Sequence, residues 1–320
     1  MRVPSMKLRT ISAALVALLA AVFAFDAADA QPRPRGMLKR DSLPVKGMQR
    51  TFLTYTPRSL KPGAPLLFVF HGSGGDGAGM REITGFEFDL IADAQGFVVV
   101  YPDGFQTTWN DCRKGSPQPA RVMNIDDESF IEAMIAKQAT DHMIDRKRVF
   151  AAGWSNGGQL AYRLAMERPQ QFAAVASISA SVPTPPNLAC TPTNAPMPVM
   201  IINGTADPIN PFNGGNVMLG FTSLGPVYSA DATAQYWAKL NGVTGEPTVT
   251  RLPHKVQSDP TWVEQKSYSA PGKPSVVLYA VHGGGHIVPQ RYFQFGEGQT
   301  QDLDAPPVIW EFFSKAASRP

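Results

Sequence analysis

Six short, almost uninterrupted apolar runs, at 66–70, 97–101, 149–152, 173–178, 199–202 and 276–280, recur along the chain. A strand with one face in water alternates apolar and polar residues, so an uninterrupted run marks a strand covered on both faces. That is the habit of a mostly parallel sheet. Helical patterns fill most of the gaps. The clearest covers 128–143, with Ile131, Met134, Ile135 and Ala139 on one face and Asp126 or Asp127 as N-cap. Another follows Ser155, where Leu160 and Leu164, and Ala161 and Ala165, repeat at four-residue spacing until Pro169 ends it. Two more run from Ala230, with Asp231 as a candidate cap, and over 307–316. A first strand is expected at 51–56. The order predicts an α/β sheet with helices on both faces, in a single domain.

Residues 1–30 read as a secretory signal: Arg2, Lys7 and Arg9 precede an apolar run, and Ala28-Asp29-Ala30 fits a cleavage site near Ala30. The apolar run, about fifteen residues long, falls short of the roughly twenty that span a bilayer, so no stable membrane anchor is expected. A secreted or periplasmic protein follows, with a flexible leader at 31–48 and a catalytic domain at 49–318. Without the signal the formal net charge drops from +3 to +2, which is no footprint for nucleic acid. Cys112 and Cys190 are the two cysteines, and in an oxidising compartment they are expected to pair. Closing a loop of roughly 80 residues constrains the unfolded chain by about 4–5 kcal/mol in the entropy model. Neither cysteine has a histidine or second cysteine near it in sequence, so no metal site is expected.

Gly153-Trp154-Ser155-Asn156-Gly157 reads G-x-S-x-G between an apolar run and a helix, the context of a nucleophile elbow. A serine hydroxyl is a poor nucleophile at neutral pH unless a base takes its proton and an acid orients that base. Of the five histidines, His71, His142 and His254 are poorly placed, while His282 and His286 follow the last run. His286 is favoured, because Gly283, Gly284 and Gly285 carry it outward on a loop able to swing. Asp207, five residues beyond the run at 199–202, is the candidate acid, whereas Asp302 and Asp304 fall too late in the chain. Ser155, Asp207 and His286 stand in the chain order of the α/β-hydrolase triad. The backbone N–H of Asn156 and one from Ser73 or Gly74 are expected to form the oxyanion hole. Of the aromatic residues available to a substrate pocket, which include Trp109, Phe221 and Tyr228, Trp154 and Phe212 lie nearest in sequence to the nucleophile and the acid. The stretch 207–231, rich in Gly, Pro and Phe, is a candidate substrate-facing loop or partial lid.

With these residues in place, the chain resembles the secreted polyhydroxybutyrate depolymerase and feruloyl esterase-like group of the α/β-hydrolase superfamily. The resemblance rests on HGSGGDG at 71–77, DRKRVFAAGWSNGGQLAYRLAMERPQQFAAVA at 145–176, NGTADPINPFNGG at 203–215 and HGGGHIVP at 282–289. It implies an α/β-hydrolase fold and a serine esterase with the same three catalytic residues and no cofactor. Its substrates would be hydroxyalkanoate esters or oligomers, or alternatively aryl esters of plant polysaccharides. No adsorption domain for solid polymer is recognised, which favours soluble oligomers or small esters. The chain departs from many of the group at Ile287-Val288, where an aromatic residue is common. A serine peptidase would need anchoring groups for a peptide terminus, and a non-catalytic binding protein would lack a triad member; neither sign is present.

Overall fold

The order of ten strands in one sheet, β1-β2-β4-β3-β5-β6-β7-β12-β11-β10, sets out the architecture of a computed structural model that describes residues 32–317. The expected signal and its cleavage site lie outside the described residues. From residue 34 the chain forms one compact unit. The strands are β1 (Met37–Val45), β2 (Met48–Thr56), β3 (Leu66–Phe70), β4 (Val98–Pro102), β5 (Val149–Trp154), β6 (Ala174–Ile178) and β7 (Val199–Gly204), then β10 (Thr248–Arg251), β11 (Trp262–Tyr268) and β12 (Val276–His282). A separate two-stranded hairpin holds β8 (Gly215–Leu219) and β9 (Thr222–Val227). The six apolar runs are the six strands β4, β3, β5, β6, β7 and β12, which pair in parallel; antiparallel strands flank them.

Helices cover both faces. Leu66, Phe68 and Phe70 of β3 enter one core with Ile131 and Met134 of α4 (Asp127–His142), Leu160 and Leu164 of α5 (Asn156–Glu167) and Trp237 of α6 (Ala230–Leu240). Leu67 and Val69, pointing the other way, enter a second core with Met80 of α1 (Gly77–Ile83), Phe88 of α2 (Glu87–Gln95) and Phe313 of α7 (Ala305–Ala317). A short α3 (Pro119–Val122) completes the set. Phe150 of β5 is fully buried and stacks on Phe313 at 4.9 Å. Phe150→Ala is expected to cost about 3–5 kcal/mol in a urea melt, the range for emptying a buried aromatic site.

The structure corrects two expectations and decides between two candidate caps. Residues 37–45, expected within a flexible leader, form β1, paired with β2 along its whole length. Lys46 and Gly47 both take positive φ, 49° and 81°, the turn geometry whose twist suits a two-residue hairpin. Asp126, not Asp127, caps α4 by accepting from Ser129 N at 2.9 Å, while buried Asp127 pairs with Arg50 at 2.8 Å. Ser229 caps α6 through its hydroxyl, and Asp231 instead accepts from Lys266 Nζ at 2.7 Å.

Candidate active site

Ser155 stands where β5 ends and α5 begins, with φ 56° and ψ −117°. Such angles are rare for a residue with a side chain, and close packing around the turn holds them. Its N–H donates to Ile178 O at 2.8 Å. A Cβ on Gly157 would lie 2.6 Å from His71 O, and one on Gly158 2.7 Å from Ser177 Oγ, so only glycine lets the turn press so near β3 and β6.

Asp207 lies in the turn after β7. Its Oδ1 accepts from Ile209 N at 2.8 Å and Asn210 N at 2.9 Å, and its Oδ2 is 2.7 Å from His286 Nδ1. The loop bearing His286, expected to swing, is pinned: Ala206 N donates to Gly284 O, and Gly283 N to Thr205 Oγ1, each at 2.9 Å. A Cβ on Gly204, the last residue of β7, would overlap the Gly284 carbonyl, so glycine there lets the loop bearing His286 come close to the turn bearing Asp207. With Nδ1 facing the carboxylate, Nε2 is the ring atom left for chemistry. His286 and Ser155 line the same cavity of about 110 Å³.

The other histidines serve elsewhere. His71 engages Gly72 O at 2.7 Å and Gly104 N at 2.9 Å, and its burial pushes its pKa down. His282 stacks on Trp262 at 3.6 Å. His254, in a segment without sequence pattern, pairs with Asp302 at 2.9 Å.

Both candidate oxyanion residues are braced by the loop between β4 and α3. Asn156 Oδ1 accepts from Trp109 N at 2.7 Å, and its Nδ2 donates to Asp111 Oδ2 at 2.7 Å. Gln118 Nε2 donates to Ser73 Oγ. Gly74 N is committed to Thr107 O at 2.9 Å, which leaves Ser73 as the free choice in that turn. Cys112 and Cys190 form a disulfide that ties this loop to the segment after β6. Ala189 N to Cys112 O and Gly115 N to Asn187 Oδ1, both 2.8 Å, reinforce the tie.

Of the expected pocket aromatics, Trp154 lines the cavity, with its ring 5.5 Å from that of His286. Trp109 does not: it is fully buried, because folding of its loop directs the indole N–H onto His71 O at 2.9 Å. Phe212 does not either, since it packs against the core beneath α6. The unpatterned stretch 207–231 holds the β8–β9 hairpin, which supplies Val217, Leu219 and Leu224 to the cavity and leaves Phe221 fully exposed at its tip. Arg113, Gln159, Ser179 and Asn210 also line it and went unrecognised in the sequence. Two carried a signal: Gln159 is one helical turn past Ser155, and Ser179 sits at the carboxyl end of β6, where functional groups of such sheets collect.

The family model described as phospholipase/carboxylesterase matches residues 57–222. NocK of Nocardia uniformis subsp. tsuyamanensis is 30% identical over 245 residues, 74% of this chain and 69% of that one. Feruloyl esterase C of Emericella nidulans is 29% identical over 272 residues, covering 83% of this chain and 84% of its own. Among solved structures, acetyl xylan esterase from Aspergillus awamori superposes with a TM-score of 0.58 at 15% identity, over 86% of this chain and 99% of that one, a likeness of fold.

Proposed function

The chain belongs to the phospholipase/carboxylesterase family of α/β-hydrolases and is a carboxylic ester hydrolase; on that premise we propose that Ser155, His286 and Asp207 carry its reaction. Ser155 Oγ attacks the ester carbonyl carbon while His286 Nε2 takes the hydroxyl proton. Asp207 holds the Nδ1 proton and stabilises the imidazolium. The N–H groups of Asn156 and Ser73 receive the developing oxyanion. Collapse of the tetrahedral intermediate expels the alcohol, which leaves with the proton from His286. Water, deprotonated by the same imidazole, then releases the acid from Ser155. The observation that carries this reading is the 2.7 Å contact of Asp207 with His286, which lines the same cavity as Ser155.

The proposed substrates are short acyl esters of the hydroxyalkanoate type. A cavity of about 110 Å³ supports a small acyl group; pockets for drug-sized ligands run to about 300–1,000 Å³. Feruloyl esters are the second reading, favoured by the name of the Emericella nidulans relative. A series of 4-nitrophenyl acetate, butyrate, 3-hydroxybutyrate and ferulate, which share one leaving group, separates the two. We expect kcat/KM for ferulate to fall at least about tenfold below that for butyrate, a loss of about 1.4 kcal/mol in the transition state. A ferulate rate equal to or above that of butyrate would reverse the choice.

Export is proposed on the signal-like residues 1–30, and the Cys112–Cys190 bridge suits an oxidising compartment. No helix among the described residues is long and apolar enough to cross a membrane. The catalytic domain is proposed to begin with β1 at residue 37 rather than at 49.

A further inference from the structure

The two N–H groups proposed for the oxyanion hole come from different elements, Ser73 from the loop after β3 and Asn156 from the first turn of α5. Both must point at one place for the hole to work, so the two residues need a fixed separation. One chain of side chains runs between them, from Asn156 through Asp111, Arg113 and Gln118 to Ser73.

The direction of each link is set by groups that only donate or only accept. Trp109 N donates to Asn156 Oδ1 at 2.7 Å, which leaves Asn156 Nδ2 to face the Asp111 carboxylate, also at 2.7 Å. The same carboxylate oxygen accepts from Arg113 Nε at 3.0 Å and from its Nη2, while the other accepts from Arg113 N at 2.8 Å. Arg113 Nη2 also donates to Gln118 Oε1 at 3.5 Å, the longest step, so the nitrogen of Gln118 is the end that reaches Ser73 Oγ. Asp111 and Arg113 are 1% and 3% exposed. Their backbone is anchored from outside the chain: Cys112, between them, is bonded to Cys190, and Lys114 N donates to Asn187 O at 2.7 Å.

We propose that Asp111, Arg113 and Gln118 are positioning residues of the reaction, a clamp that sets the separation and aim of the Ser73 and Asn156 N–H groups. A buried ion pair is weak evidence for stability, since apolar side chains of similar volume often serve as well, so one standing between the two donors calls for a functional account. Charge gives Arg113 a second part. A carboxylate bonded to Asn156 would by itself oppose the negative charge that grows on the substrate oxygen, and the guanidinium on that carboxylate cancels its field. The inference rests on the catalytic reading above and adds to it residues that act through Ser73 and Asn156.

Two variants break the chain without stranding a buried charge. Gln118→Met keeps an unbranched side chain and removes both amide links. Arg113→Lys keeps a cation against Asp111, but one ammonium cannot reproduce the planar fork that reaches the carboxylate and Gln118 together. Rates on 4-nitrophenyl butyrate are compared with inhibition by trifluoromethyl propyl ketone, and thermal melts establish which variants are folded. Ser155 Oγ bonds to the carbonyl carbon of the ketone, its proton passes to His286, and the carbonyl oxygen becomes an oxyanion in the hole. We expect kcat to fall about 10- to 100-fold in each variant, the scale for a group displaced by about 1 Å, with KM within about threefold of the wild type. The inhibition constant of the ketone should rise by the same factor, because it samples the same oxyanion. A folded variant with kcat within about twofold of the wild type, a loss carried by KM, or a ketone constant that stays put while kcat falls would overturn the clamp and leave the esterase intact. Loss of the fold in both variants would also overturn it, by assigning the chain to the fold alone. A wild type that hydrolyses the ester but is not inhibited by the ketone would overturn the catalytic reading, and the clamp with it.

Discussion

Ser155→Ala is expected to lower ester hydrolysis at least about 10³-fold while leaving the unfolding curve in urea unchanged. Both side chains carry a Cβ, so the strain at φ 56° is the same for either, and the N–H to Ile178 O bond belongs to the backbone. What disappears is the nucleophilic oxygen. The brace on Asn156 from Trp109 and Asp111 stays in place. The variant should therefore still bind ester and retain the modest acceleration that oriented N–H donors give over water. Initial rates on 4-nitrophenyl butyrate read the effect, and a variant within about tenfold of the wild type would refute Ser155 as nucleophile.

Asp207→Asn should cost about 10⁴-fold in kcat, the scale known for an acid replaced by its amide in such a triad. The reason lies in the two backbone donors on Oδ1. Ile209 N and Asn210 N each need an acceptor, so the asparagine must keep its oxygen toward them and turn its nitrogen to His286. An amide N–H there makes Nδ1 accept, which places the imidazole proton on Nε2, the atom that must take the proton of Ser155. Substrate contacts are untouched, so KM should move little while kcat falls. A loss confined to KM, or one smaller than about tenfold in kcat, would assign Asp207 a structural part only.

The six parallel strands were legible because burial on both faces writes itself as an apolar run. β1 was not, for the opposite reason: Lys39, Arg40 and Asp41 on a half-exposed strand resemble a solvated leader, and only Lys46-Gly47 hinted at the turn. The positions of Ser155, Asp207 and His286 could be read locally, since each follows a strand within a short glycine-containing turn. The cavity wall could not. Trp109 and Phe212 were plausible by sequence proximity, yet their direction depends on how a loop folds back on His71 and how a turn packs under α6. Gln159 and Asn210 both hydrogen-bond to Ser181, which stands 22 residues from one and 29 from the other and is unremarkable alone.

β1 also governs how these molecules meet one another. As the terminal strand of the sheet it presents Lys39, Arg40 and Asp41, while Pro44 removes one N–H from its ladder. Growth of the sheet into a neighbouring copy would strip water from those ions and meet a gap in hydrogen bonding. That border is therefore poorly suited to the strand-by-strand addition from which fibrils grow.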